Sequence, residues 1–313
     1  MMNPLSSRTG ISAKLYEVNW LLFALVGLVG LVGVTMIFAA TDGVWSRGAQ
    51  QHLIRLVFAG GLMLAVAMTD VKVWYTLAYP IYALALLLLI GVDVFGVSVN
   101  GSQRWLDLKI IRFQPSEIMK VAIVLALARY YHDLPKYYTS RLSGLMVAAL
   151  IILIPMALIL RQPDLGTTLL VAATGVALVF LAGVNWRVIS GAALAGAIAL
   201  PLFFRFGLKE YQRSRILTFL DPSRDPTGAS YHITQSKIAL GSGGVTGKGF
   251  MNGTQRQLEY VPENRTDFIF TVIGEEFGLI GSLLTMGLYT SVIGLCLWLS
   301  CLLYTSPSPR DRG

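Results

Sequence analysis

Four stretches of this 313-residue chain combine residue types and spacings that suit chemistry. The first is Arg104-Trp105, followed by Phe113-Gln114-Pro115-Ser116-Glu117-Ile118-Met119-Lys120. Glu117 and Lys120 are three residues apart, so on a helix they share a face and can pair. Lys120 falls about one turn inside an apolar run. An ionisable side chain at that depth either faces a polar cavity, which makes it a functional candidate, or snorkels to the interface. The second stretch is Arg161-Gln162-Pro163-Asp164-Leu165-Gly166-Thr167. Asp164 is placed there to cap the following helix, with Gly166 and Thr167 allowing close packing. The third, Gly241–Gly249, has five glycines in nine residues. It suits either a nest of backbone N–H groups around a phosphate or a packing turn. It is not a P-loop, which needs Ser or Thr after Lys248, where Gly249 stands. The fourth runs from Tyr260 to Phe270 and includes Glu263, Arg265, Thr266 and Asp267. Asp267 sits where a polar loop meets an apolar helix, a setting suited to a general base. Thr266 or Asp267 equally suits the N-cap of that helix. Glu275 and Glu276 lie about two turns further on, so at least one must face the interior or a polar partner.

These residues need elements to hold them, and the composition says which. Apolar residues make up 55% of the chain, charged residues 13%, and mean hydropathy is +0.64. An ordinary soluble domain is nearer a quarter charged. Disorder, a disulfide scaffold and a typical soluble enzyme are excluded, which leaves a polytopic membrane protein. A spanning helix needs about 20 apolar residues to cross a hydrocarbon core of about 30 Å. Eight runs meet or approach that length: Trp20–Ala40, Leu53–Thr69, Val73–Val94, Ile118–Tyr131, Leu142–Leu160, Leu165–Val184, Val188–Phe206 and Phe268–Ser300. Proline favours the first helical position, so the fourth helix is expected to open at Pro115. The last run has length to spare for a loop-proximal turn. No repeat or low-complexity stretch is found, and the N-terminal apolar run is too long for a signal-peptide core.

Cys296 and Cys301 form no disulfide or zinc pattern, and three histidines make a His-based metal centre improbable. The net charge of +8 sits between the apolar runs, which favours anionic headgroups or phosphate-bearing substrates over nucleic acid. An N-terminus inside places Arg8, Lys14, Lys72, Arg129, Lys136, Arg141 and Arg187 in the cytoplasm, against Arg47, Arg104, Lys109, Arg112 and Arg161 in the opposite short loops. That is a narrow margin for the positive-inside rule. Residues 207–267 then form an extracytoplasmic loop holding eight Lys/Arg and six Asp/Glu. Interleaved Tyr211, Phe219, Tyr231, Ile238, Phe250 and Tyr260 argue for order rather than disorder there. The tail Cys301–Asp311 reads CLLYTSPSPRD, like a translated sequencing adapter, so 301–313 is expected to be non-native and 1–300 to be a single membrane domain.

Taken together the four stretches resemble the SEDS family of bacterial shape, elongation, division and sporulation proteins. The resemblance spans Asn19–Ser300. It is most specific over Leu220–Gly281, which carries DPxxDPxGxxYHIxQSKIALGSGG, GKG, GTQ and PENRTDFIFTVIGEEFGLIG. The forms at His232, Lys237-Ile238-Ala239, Lys248 and Gly253-Thr254-Gln255 look like the elongation branch, with the division branch the close runner-up. The resemblance implies an all-α polytopic protein with ten helices and both ends cytoplasmic, two more than this chain holds. It implies a peptidoglycan glycosyltransferase of the cytoplasmic membrane that polymerises lipid II outside, alongside a class B penicillin-binding protein transpeptidase. The family's essential aspartate matches Asp267. Arg104, Trp105, Glu117, Lys120, Lys248, Glu263 and Arg265 are expected to bind substrate. No protein-ligated metal is expected, although Mg or Mn can assist through the substrate diphosphate. The rival readings are a flippase for the lipid-linked precursor and a non-catalytic scaffold. The sequence shows no inverted repeat or pair of broken helices to favour the flippase.

Overall fold

A computed structural model describes residues 11–41, 43–99, 102–107, 112–162, 164–207, 210, 213–214, 216–217, 221, 229–253 and 268–305. All eight apolar runs are helical within it. A short α1 (Ile11–Glu17) precedes α2 (Trp20–Ala39), α3 (Arg47–Met68) and α4 (Val71–Phe95). Then come α5 (Pro115–Asp133), α6 (Leu142–Arg161), α7 (Leu165–Leu181) and α8 (Trp186–Leu202), with one π-helical turn at Phe203–Gly207. Further along, the described residues include α9 (Ala229–Ser242) and α10 (Ile269–Thr305). Of these, α2, α3, α4, α6 and Ile269–Cys301 of α10 are long and apolar enough to cross a bilayer. Large apolar side chains face outward along them, with Phe58 72% and Leu284 70% exposed. In a soluble protein such faces would be core, whereas lipid is a fit solvent for them. The chain is a helical, multi-pass membrane protein.

Local signals set several helix ends. Pro115 opens α5 as expected, with Gln114 as N-cap. By contrast α3 starts six residues before the apolar run Leu53–Thr69. Ser46 caps it by accepting a hydrogen bond from the Ala49 amide at 3.3 Å, which recruits a polar first turn. Three short strands were not anticipated from the sequence: β1 (Val97–Val99), β2 (Ser102–Asp107) and β3 (Arg112–Phe113), antiparallel in the order β1-β2-β3. Val97 pairs with Trp105 and Leu106 with Phe113.

The chain divides into two compact units, Met1–Thr69 with Leu217–Gly313, and Asp70–Ile216. In the second, Leu89, Met119, Ile123, Leu127, Ile152, Ile159 and Val171 form one buried cluster joining α4, α5, α6 and α7. Pro80 in α4 and Pro155 in α6 are two of the prolines inside helices of this unit. Proline lacks an N–H, so each deprives the carbonyl four residues back of its partner. Those carbonyls belong to Thr76 and Ile151. Arg129 of α5 donates to the Thr76 carbonyl at 3.1 Å, and the Tyr82 hydroxyl of α4 donates to the Ile151 carbonyl at 2.9 Å. Neighbouring helices thus supply the missing donors, as an apolar surrounding demands.

Candidate functional site

The Asp70–Ile216 unit holds Arg104, Trp105, Glu117 and Lys120. Strand β2 is anchored from both directions. Gln103 donates to the carbonyls of Val92 at 3.1 Å and Gly96 at 2.8 Å, which closes the C-terminal end of α4. Arg104 reaches the other way, its Nη1 lying 3.4 Å from Oδ2 of Asp164. Trp105 is half-buried on the same strand. Asp164 is a hub. Its Oδ1 accepts from the Thr167 amide at 3.1 Å, capping α7, and its Oδ2 accepts from the Thr167 hydroxyl at 2.9 Å. Gln114 donates to the same Oδ2 at 3.2 Å. The capping expectation for Asp164 holds, and the same carboxylate also fixes the Arg104 guanidinium.

One turn into α5, Lys120 pairs with Glu117, Nζ to Oε2 at 2.8 Å. The three-residue spacing places both beside the buried face made by Ser116, Met119 and Ile123. Lys120 is partly covered and Glu117 more exposed, so the carboxylate restrains an ammonium that water still reaches.

The other unit holds Lys248 and an arrangement the sequence reading did not foresee. Helix α10 is interrupted at Gly278, where φ is 64° and ψ is −154°. An unbroken helix would have the amides of Leu279 and Ile280 donate to the carbonyls of Glu275 and Glu276. Here Leu279 and Ile280 donate instead to Gly244 and Val245, at 2.9 and 3.2 Å. The freed carbonyls of Glu275 and Glu276 accept from the amides of Lys248 and Gly249, at 3.0 and 2.9 Å. The glycine stretch is inserted into the break and re-pairs both halves. Glycine is required on both sides. At Gly247 (φ 81°) a Cβ would collide with the backbone of Glu276, and at Gly278 it would lie 2.7 Å from the Val245 carbonyl carbon.

The same insertion brings Lys248 Nζ to within 2.6 Å of Oε1 of Glu275. Glu275 and Glu276 are both buried, as the intramembrane position requires. The amides of Gly244 and Gly247 donate to Gly241 and Gly243, so with Lys248 and Gly249 four amides of this stretch are committed to carbonyls. Of the two readings left open for the stretch, packing is the one these bonds describe. The cue in the sequence was Gly278 closely after two acids in an apolar run, with a glycine-rich stretch upstream to partner it. Asp267, Glu263 and Arg265 lie outside the described residues. Among the described residues no three His, Cys, Asp or Glu side chains converge to hold a metal ion.

A family profile described as cell cycle protein, covering FtsW, RodA and SpoVE, matches residues 13–305. The peptidoglycan glycosyltransferase MrdB of Escherichia coli K12 is 45% identical over 244 residues, 77% of this chain and 65% of that protein. The probable peptidoglycan glycosyltransferase FtsW of Coxiella burnetii is 38% identical over 246 residues, 78% of this chain and 65% of that one. The chain therefore spans just under two thirds of these curated relatives. Among solved structures, one of a peptidoglycan synthase complex that coordinates polymerization and crosslinking matches with a TM-score of 0.73 and 30% identity, over 88% of this chain and 76% of that one. The rod shape determining protein RodA of Thermus thermophilus matches with a TM-score of 0.61 and 26% identity, over 88% and 73%.

Proposed function

The chain belongs to the FtsW/RodA/SpoVE family of cell cycle proteins, and from that premise we propose that it is a peptidoglycan glycosyltransferase of the bacterial cytoplasmic membrane. It polymerises lipid II into glycan strands during cell elongation. Its N-terminus is cytoplasmic, its active site extracytoplasmic, and it works beside a class B penicillin-binding protein transpeptidase. The observation that carries the reading is a pair of cations in the Asp70–Ile216 unit, each fixed by its own carboxylate: Arg104 by Asp164 and Lys120 by Glu117. They stand in a chain 45% identical to a peptidoglycan glycosyltransferase.

The reaction joins the sugar 4-hydroxyl of one lipid-linked disaccharide to the anomeric carbon of another. A carbon–oxygen bond forms as the anomeric bond to the undecaprenyl diphosphate breaks, and its electron pair leaves with the diphosphate. The hydroxyl proton passes to Asp267, the general base. Charge accumulating on the leaving group calls for fixed cations, and Arg104, Lys120, Lys248 and Arg265 supply them. Glu117 positions Lys120 rather than acting as an acid, because an anionic leaving group needs no proton. Trp105 and Glu263 complete the substrate contacts. A divalent ion such as Mg or Mn, held through the diphosphate, would add further charge neutralisation. Every step assigned here uses side chains alone.

The break in α10 does not favour the flippase reading. Transporters use paired discontinuous helices around a central site, whereas the break at Gly278 is re-paired by the inserted glycine stretch. The decisive experiment measures glycan strands from lipid II with the cognate transpeptidase present, for the parent protein and for Asp267→Asn. Polymer from the parent alone is expected. Equal polymer from both rejects Asp267 as the base. No polymer from a folded parent with its proper partner favours the flippase or the scaffold.

A further inference from the structure

The start of α4 and the last two turns of α5 border a groove of about 450 Å³ within the Asp70–Ile216 unit. The reaction above uses none of its residues. Leu125, Ala128, Arg129 and His132 recur at intervals of three and four, so a single face of α5 forms one wall. Lys72, Trp74 and Tyr75, at the start of α4, form the other. The groove is graded along the helices. Leu125 and Ala128 lie further inside α5, and Arg129 and His132 lie in its last two turns. An apolar floor therefore leads to a basic rim, with a Trp and a Tyr beside it, the two residues enriched where a bilayer meets water.

Arg129 is fixed in that rim. Its guanidinium carbon lies 4.6 and 4.5 Å from the ring centroids of Tyr75 and Tyr79. Its Nη1 donates to the Tyr75 carbonyl at 2.9 Å as well as to that of Thr76. Its Nε stands 3.8 Å from Oδ2 of Asp133, whose Oδ1 accepts from the Tyr75 hydroxyl at 2.5 Å. Asp133 thus offsets the charge of Arg129, and Lys72 is left over. Among the described residues Lys72 makes no ion pair. It stands in the first turn of α4, where the helix dipole disfavours a cation. An anion in the groove would answer both. His132, edge-on to Tyr75 at 5.7 Å between ring centroids, adds a ring N–H at the same level. A phosphodiester carrying acyl chains matches the gradient: its oxygens meet Lys72 and His132, and a chain runs along Leu125 and the exposed Ala128.

We propose that this groove binds an anionic phospholipid, with Lys72 and His132 on the phosphate, Arg129 as a fixed positive backing and Trp74 and Tyr75 beside the head group. With the N-terminus inside, this end of the two helices lies in the cytoplasmic leaflet, where anionic lipids give the surface its negative potential. The lipid ties the start of α4 to the end of α5, the helix whose opening turns carry Glu117 and Lys120. The site does not rest on the glycosyltransferase reading.

The test is equilibrium binding by native mass spectrometry of the detergent-purified protein, with phosphatidylglycerol and phosphatidylethanolamine of the same acyl chains as separate probes. The parent is expected to bind phosphatidylglycerol more tightly. Lys72→Gln should weaken that binding about fivefold, about 1 kcal/mol, the worth of one lysine at an anionic surface. His132→Ala should weaken it about threefold, as the loss of one hydrogen bond. Lys72→Arg keeps the affinity, and so does Lys136→Gln, beyond the end of α5. Thermal melting checks that each variant is folded, and His132→Ala keeps the test open should Lys72→Gln not fold. Unchanged phosphatidylglycerol binding by the folded Lys72→Gln and His132→Ala variants overturns the site and leaves Lys72 to topology alone. Equal binding of the two lipids by the parent overturns the anionic preference, and displacement of phosphatidylglycerol by excess inorganic phosphate overturns the lipid as the occupant. Because binding needs no turnover, each of these results leaves the polymerase reading standing.

Discussion

Lys120 and Lys248 are both held by glutamates, but their surroundings give the two pairs different roles. The Glu117–Lys120 pair is partly exposed, so it contributes at most about 1 kcal/mol to stability. Glu117→Gln is therefore expected to melt close to the parent while cutting glycan yield about tenfold or more, since a misaimed cation loses its use in the transition state. Unchanged yield would remove the positioning role. The Lys248–Glu275 pair has its carboxylate buried, and removing only the lysine leaves that charge stranded. Lys248→Met is expected to cost about 3 kcal/mol in melting experiments, with the double variant Lys248→Met/Glu275→Leu recovering most of it. A single variant as stable as the parent would show that the pair holds nothing together. The first pair was legible in the sequence because its partners are three residues apart. The second was not, because twenty-seven residues separate them.

At the scale of elements, what matters is where backbone groups find partners. The break at Gly278 works because Gly244, Val245, Lys248 and Gly249 offer matching donors and acceptors. Gly278→Ala places a Cβ against the Val245 carbonyl in a backbone conformation open essentially to glycine alone, and should destabilise by about 3 kcal/mol or more. A melting temperature equal to the parent's would mean that the break relaxes freely. The proline rescue is milder. Tyr82→Phe keeps the ring and removes only the donor to the Ile151 carbonyl, so a loss of about 1–2 kcal/mol is expected. Local signals made Pro115 and Asp164 readable in advance. Strands β1 to β3 escaped notice because each is short and Gln103-Arg104-Trp105-Leu106-Asp107 shows no clean polar–apolar alternation.

Across the whole molecule, orientation is the property to test. Cytoplasmic placement of Ser140 and extracytoplasmic placement of the stretch containing Ser223 follow from an N-terminus inside. After Cys296→Ser and Cys301→Ser, single Ser140→Cys and Ser223→Cys variants would be exposed to a membrane-impermeant thiol reagent on intact cells. Labelling of position 223 alone is expected, and labelling of position 140 alone would invert the topology and the proposed side of the chemistry.

By itself the sequence determined the class: a helical membrane protein with eight apolar runs and a family signature strong enough to name the chemistry to be tested. Composition and period are sums over neighbours along the chain, and a bilayer reads them directly. Only the tertiary structure decided which charges meet, that Asp164 serves both the α7 cap and Arg104, and that the glycine stretch fills the gap in α10. Those pairings depend on distances between residues far apart in the chain, which no local pattern encodes.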